Sequence, residues 1–344
     1  FATHNTCNLK CRHCYIPFEN RKEKKTEDSV IISSLEEFIK KIESENYQIG
    51  KFCLHGTEPT LLSATNLAKV VGMVDNHWQK TQTKNISVAV QTNGVRLNRG
   101  YLEELADKSG SPEKIKLGFS IDPPVQVHNF MRDNSYDTVF LNYNTAIELG
   151  FKVGVLMVVS QQTMNFLDEF RDWVVEQSLR MKEKGNPFKI KLKFATGKFS
   201  ISDDDMDFFT YFLIENNLLN LVQILTPGYC MQSGNECMWF EFDFEGNVYS
   251  CNKSYGSSGT FSNWRVETFS EIVAIRKKLY TECYVSSDCK ECCMEVFCNS
   301  GCPLDRIKVG TLTGKAHECT LIRNVYKYLD SNNIVINEFL NNIN

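Results

Sequence analysis

No apolar run in this 344-residue sequence reaches the roughly 18 residues that a membrane-spanning helix needs. Nor does the chain open on the charged, apolar and small-residue succession of a secretory signal. Charge of one sign is scarce as well: the formal net charge is −4, with no large basic block. The one dense basic run, Arg21 to Lys25 (RKEKK), interleaves a glutamate and reads as a solvated loop rather than a nucleic-acid patch. These absences lead us to expect a cytoplasmic protein without a membrane or nucleic-acid partner. The sequence begins at Phe1 rather than Met, so residues ahead of it are expected to have been trimmed. No internal repeat is evident. Cysteine is more plentiful, yet 14 among 344 residues, about 4%, falls short of a small disulfide scaffold. A chain of this length has core enough without such staples, which points to reduced, metal-binding thiols.

What is present is an alternation. From Glu27 to about Phe194 helical and strand-like patterns take turns. Val30, Ile31, Leu35, Phe38, Ile39 and Ile42 recur at helical spacing, and residues 65–78, 101–108, 136–150 and 164–181 read as further helices. Residues 51–55, 86–92, 114–122, 151–160 and 188–194 read as strands. Repeated β–α units imply a parallel sheet, open or closed, with its chemistry in the loops after the strands. Past Phe194 comes a capped helix. Beyond Pro227 the chain turns rich in Cys, Gly and aromatics. We place the domains at 1–195, a bridging segment at 196–227, and a cysteine-rich domain at 228–344. The Asn-rich end reads as a fraying terminus.

Cys7, Cys11 and Cys14 stand in C-x3-C-x2-C spacing. Three thiolates on one loop can hold three irons of a cubane and leave the fourth open for chemistry. A zinc site borrowing His13 or His4 is the bland alternative. This loop resembles the signature of the radical SAM enzymes, with His13 where an aromatic residue is usual. The likeness continues in Leu54 to Leu62 (LHGTEPTLL), similar to that family's Gly-Gly-Glu-Pro motif with Thr57 for the second glycine. It continues again in Gly118 to Arg132 (GFSIDPPVQVHNFMR). The resemblance implies that His13, Gly56, Thr57, Glu58, Ser120, Asp122 and Arg132 contact S-adenosylmethionine, Arg132 through its carboxylate. Gln91 to Gly94 (QTNG) resembles a common third-strand ending of the family. On their own residues, the Gly56–Pro59 segment could be a plain connection, Asp122 a strand end, Arg132 an exposed helix-start residue and QTNG a turn.

The C-terminal cysteines follow the order Cys230, Cys237, Cys251, then Cys289, Cys292, Cys298, Cys302, then Cys319. They resemble the SPASM extension of radical SAM enzymes. That resemblance implies two auxiliary [4Fe–4S] clusters, one on Cys230, Cys237, Cys251 and Cys302, the other on Cys289, Cys292, Cys298 and Cys319. Disulfides and a zinc ribbon are the alternatives, and Cys293 competes with Cys292. Cys53 and Cys283 read as core residues.

By resemblance the fold is α/β, a partial (β/α)6 TIM-like barrel followed by the SPASM domain, carrying three clusters and S-adenosylmethionine. The shared chemistry is one-electron cleavage of S-adenosylmethionine to a 5′-deoxyadenosyl radical that abstracts hydrogen. An external donor such as flavodoxin or ferredoxin supplies the electron. The substrate expected is a ribosomally made precursor peptide. In the sulfatase-maturing branch an aspartate base follows the third cysteine of the first auxiliary set, whereas here Asn252 does. That favours a peptide crosslinker, with a carbon–carbon cyclophane ahead of a thioether, over formylglycine formation. A non-catalytic iron–sulfur redox protein is the rival from another class. The catalytic base is unassigned: Asp203, Asp204 and Asp205 suit a helix N-terminus better.

Overall fold

In a computed structural model the described residues are 1–16, 21, 24–84, 87–185, 188–223, 237–251, 259–281, 287–308, 316 and 318–334. Cys230, Asn252, Cys283 and the Asn-rich end beyond residue 334 lie outside them. The order is α1 (Asp28–Ser44), β1 (Cys53–Leu54), α2 (Ala64–Lys80), β2 (Val88–Thr92), α3 (Arg99–Ser109), β3 (Ile115–Ser120), α4 (Val125–Met131), α5 (Tyr136–Glu148) and β4 (Lys152–Val159). There follow α6 (Gln161–Met164), α7 (Leu167–Glu183), β5 (Ile190–Phe194), α8 (Asp203–Glu215) and β6 (Val222–Gln223). Then come the short strands β7 (Glu241–Phe242), β8 (Asn247–Tyr249) and β9 (Thr260–Asn263). The helices α9 (Phe269–Thr281), α10 (Ser287–Lys290), α11 (Glu295–Cys298), α12 (Pro303–Lys308) and α13 (Cys319–Ser331) complete the order.

β1 to β6 form one six-stranded sheet whose spatial order is the chain order. The pairings of β1 with β2, β2 with β3, β3 with β4 and β5 with β6 are parallel, as the β–α alternation requires. Local chemistry sets the element ends. Ser63 and Asn98 accept the backbone N–H of Asn66 and Tyr101 at the starts of α2 and α3. Gly110 closes α3 in the left-handed region at φ 77°, where a side chain would be strained. Asp205 and Ser202 form a reciprocal capping box on α8, so this carboxylate is committed to the helix start.

Proximity along the backbone divides the chain into two compact units, Phe1–Leu156 with Phe240–Ile275, and Met157–Trp239 with Arg276–Asn344. The cuts fall inside β4 and α9. In the first unit the sheet register sets Gln91 beside Gly118 and Gly118 beside Gly154. Val90, Leu117 and Phe119 point to the buried face, while Gln91, Gly118 and Ser120 share the more open one. Phe38 of α1 packs against Phe242, Trp264 and Phe269 at ring distances of 4.8, 5.2 and 5.8 Å, so the β7–β9 hairpin shares this unit's core. Ala2 makes parallel bridges to His55 and Asp243. In the second unit Phe209 of α8 meets Phe170 and Phe194. Asn324 of α13 donates to Asp207 of α8.

Candidate active site

The cysteine loop lies against the ends of β2 and β3. Asn93, one residue past β2, donates from Nδ2 to Asn8 Oδ1 (2.8 Å) and to Cys7 Sγ (3.7 Å). Asn93 is itself set by Glu58, whose carboxylate accepts its backbone N–H at 2.7 Å. The other oxygen of Glu58 accepts from Thr60 N, Thr60 Oγ1 and Thr92 Oγ1. Burial raises the Glu58 pKa and these donors oppose the rise. Burial, then the Glu58 charge, pushes the Cys7 thiol up to about 12.

A second anchor lies past β3. Asp122 is fully buried; its Oδ2 accepts from His13 Nε2 at 2.6 Å and from Arg132 Nε at 2.7 Å, and its Oδ1 accepts from Arg132 at 3.1 Å. Burial opposes ionisation of Asp122, but Arg132 and His13 outweigh it and hold the carboxyl below its usual range. Arg132 closes α4 and is buried, not an exposed helix-start residue. The loop backbone docks on the same segment: Arg12 N donates to Met131 O (2.9 Å), and Lys10 N to Asp133 Oδ2 (3.2 Å). A third anchor corrects the reading of the basic run at one residue, for Lys24 and Lys25 are exposed. Arg21 is not a solvated residue; it folds onto the loop and donates to Leu9 O and Ile16 O at 3.1 Å each.

At the end of β1, Gly56 holds φ at 109°, a conformation that favours glycine. Thr57 Oγ1 donates to His4 O at 2.7 Å. The Tyr15 hydroxyl, next to Cys14, stands 3.3 Å from His55 Nδ1 and donates to Gly56 O. Ser120 Oγ accepts from Gln91 Nε2 at 3.0 Å, and the same amide donates to Gly118 O. A Cβ at Gly118 would meet Gln91 Oε1 at 2.5 Å, so glycine makes room for the amide. The structure thus brings Cys7, Cys11 and Cys14 to the strand ends holding Gly56, Thr57, Glu58, Ser120 and Asp122. Sequence reasoning placed Gln91 and Asn93 together in QTNG, a family-like strand ending or a turn, without giving either a role, and read Arg21 as solvated. Its only signal for Asn93 was a place in QTNG, directly past a strand.

In the second unit Cys289, Cys292, Cys298 and Cys319 come together. Burial, then the charges of Cys319, Cys289 and Cys292, pushes the Cys298 thiol up to about 12. Cys293 turns instead to the Tyr326 hydroxyl. Of the other set, Cys237 and Cys302 are buried in the second unit and Cys251 belongs to the first.

The donor chemistry of the first loop suits an iron–sulfur cluster. Burial raises the Cys7 and Cys11 thiol pKa values, and a neighbouring thiol adds to each rise, Cys11 at Cys7 and Cys14 at Cys11. Among the described residues no three His, Cys, Asp or Glu side chains crowd closely enough to share a single ion. A coordinated iron takes the place of the proton that burial leaves on such a thiol.

The family model "Radical SAM superfamily" matches residues 2–174, half of the chain, and the chain belongs to that superfamily. Membership implies S-adenosylmethionine and a [4Fe–4S] cluster. Among curated proteins, a cysteine-type anaerobic sulfatase-maturating enzyme of Clostridium novyi is 23% identical over 87% of this chain and 85% of its own length. One from Clostridium perfringens is 24% identical over 86% and 85%. Among solved structures, native anSMEcpe with bound AdoMet superposes with a TM-score of 0.75 at 21% identity, covering 99% of this chain and 98% of that one. Streptococcus suis SuiB bound to precursor peptide SuiA reaches 0.61 at 13%, covering 93% and 74%. At these identities the structural likeness establishes the fold: the α/β radical SAM architecture with a cysteine-rich C-terminal region.

Proposed function

We propose that the chain oxidises one residue of a peptide, starting by removal of a side-chain hydrogen. The observation that carries this reading is the cysteine loop held against the ends of β2 and β3. When bound, the cluster and S-adenosylmethionine supply a radical able to take hydrogen from an unactivated carbon. Cys7, Cys11 and Cys14 hold three corners of the cluster. The backbone at Gly56 and Thr57 receives the cofactor's amino group, and Ser120, steadied by Gln91, contacts its methionine or ribose part. An external flavodoxin or ferredoxin supplies the electron.

Of the possible oxidations, conversion of a cysteine side chain to formylglycine has the better support. Two curated relatives matched over 86–87% of this chain bear the name of cysteine-type sulfatase-maturating enzymes. A crosslink, cyclophane or thioether, is the second reading. It is supported by Asn252, an amide where the maturases place an acid, and by the likeness to SuiB bound to its precursor peptide. Cys289, Cys292, Cys298 and Cys319 would hold one auxiliary cluster; Cys230, Cys237, Cys251 and Cys302 are proposed for another on the resemblance to the SPASM extension. A fully thiolate-ligated cluster suits acceptance of the electron left on the product.

The test is anaerobic co-expression with a sulfatase-derived cysteine peptide and with each short peptide encoded beside the gene, using Cys7→Ala as control. A Cys7-dependent aldehyde, trapped by a hydrazide, supports maturation. Loss of two hydrogens, with fragmentation blocked between two residues, moves the assignment to the crosslinker. Turnover of S-adenosylmethionine with every peptide unchanged rejects both.

A further inference from the structure

Asp122 has no carboxylate oxygen turned away from protein. One oxygen receives His13 and Arg132 together, the other a second Arg132 donor. His13 lies between Cys11 and Cys14 in the chain, so this contact ties the loop between two cluster ligands to a buried ion pair. The segment carrying Arg132 holds the loop at three further points: Met131 O, Asp133 Oδ2 and the Phe130 ring, over which the Arg12 guanidinium sits at 4.2 Å. A buffer of neutral groups backs Arg132: Asp122 N donates to His128 Nδ1, His128 donates to Ser135 Oγ, and Ser135 donates to Arg132 O at 2.6 Å.

We propose that His13, Asp122 and Arg132 form a charged clamp that positions the cluster loop and sets the reduction potential of its cluster. Arg132 is then a positioning residue, with its fork spent on Asp122 rather than on the carboxylate of S-adenosylmethionine. The electrostatics agree with the placement. Arg132 and Asp122, of opposite charge, both lie within electrostatic reach of Cys11. Reduction adds one negative charge to the cluster. A buried cation beside it therefore favours the reduced form and a buried anion disfavours it.

The two partners must then act with opposite signs, which mere loosening of the loop cannot imitate. The experiment is an anaerobic redox titration of the reconstituted full chain, read by electron paramagnetic resonance. The loop cluster's signal is identified by its loss in Cys7→Ala. At fixed potential Asp122→Asn is expected to raise the ratio of reduced to oxidised cluster by three- to tenfold. Arg132→Gln is expected to lower it by the same factor. Tenfold corresponds to about 59 mV for one electron. His13→Phe, which retains the pair but withdraws a donor from Asp122, is expected to lower the ratio two- to threefold.

Arg132→Lys keeps the charge and is expected to leave both the ratio and the affinity for S-adenosylmethionine, measured by equilibrium dialysis, within about threefold. Shifts of the same sign in Asp122→Asn and Arg132→Gln, or none, overturn the proposal. So does a loss of affinity beyond tenfold in Arg132→Lys with the ratio unchanged, which would return Arg132 to direct cofactor contact. Should Arg132→Gln hold no cluster, the sign in Asp122→Asn and His13→Phe decides. These readouts need no peptide, so they stand apart from the choice between formylglycine and crosslink.

Discussion

Single side chains decide how the cysteine loop is held. Asn93 reaches both Cys7 and Asn8, and Glu58 fixes its backbone. Asn93→Ala removes two donated bonds and leaves the Glu58 contact. The expected cost is about 1 kcal/mol of stability. Formation of 5′-deoxyadenosine should slow several-fold at unchanged iron content, as chromatography of the quenched reaction would show. Adjacent cysteines make a sharper comparison. Cys298 is flanked by Cys289, Cys292 and Cys319, whereas Cys293 faces Tyr326. Cys292→Ser should therefore lose about four irons per chain, the content of one cubane, while Cys293→Ser keeps them; iron and sulfide analysis distinguishes the two. Spacing alone could not choose between neighbours in sequence, because the direction of a thiol depends on the backbone between Cys292 and α11.

At the level of elements, the strand–helix alternation was legible because apolar periodicity records which face is buried. Residues 136–150 end where Gly150 takes φ 82°, and Ser202 begins α8 with its cap. What the pattern could not reveal is contact between side chains and backbone that periodicity does not relate: Asp122 with His13, 109 residues apart, or Arg21 folded back on Leu9 and Ile16 of its own segment. An arginine in a basic run looks solvated until its guanidinium is seen to take up two backbone carbonyls, while Lys24 and Lys25 beside it do remain exposed. The α4–α5 junction makes a prediction of its own. His128 is buried and its pKa falls to about 3; burial is the main cause, Arg132 and His13 add to the fall, and Asp122 opposes it. The unfolded chain takes up a proton near 6.5, the ordinary histidine value, while the folded chain stays neutral. Stability is thus lost as pH falls from about 6.5 toward 3, by a slope of up to one proton's worth. Urea midpoints between pH 7.5 and 5.5 should fall more steeply for the native chain than for His128→Gln. Equal slopes would show that another group carries the acid sensitivity.

For the whole molecule, two compact units divide the cysteines differently from the order in which they occur. The N-terminal triad and Cys251 belong to the first unit; Cys237, Cys302 and the Cys298 quartet belong to the second. Within the first unit aromatic packing places the β7–β9 strands beside Phe38, a contact between residues more than two hundred positions apart that no local pattern records. If all three cysteine sets are filled, the anaerobically reconstituted chain carries about twelve irons. Eight would mean that only one C-terminal set binds a cluster. Variants at Cys7, Cys298 and Cys302 should each remove about a third of the total, measured against protein by amino-acid analysis.

Gly118 and Gln91 tie the history of two positions together. The amide of Gln91 fills the space in which a side chain at 118 would stand, and it also supports Ser120. An alanine at 118 would push that amide aside, and because the clash is with the far end of a flexible side chain, the strand itself need not move. The consequence falls on Ser120 instead: a lineage that gains a side chain at 118 gives up the Gln91 contacts with Gly118 O and Ser120 Oγ, and should carry a different partner for that hydroxyl.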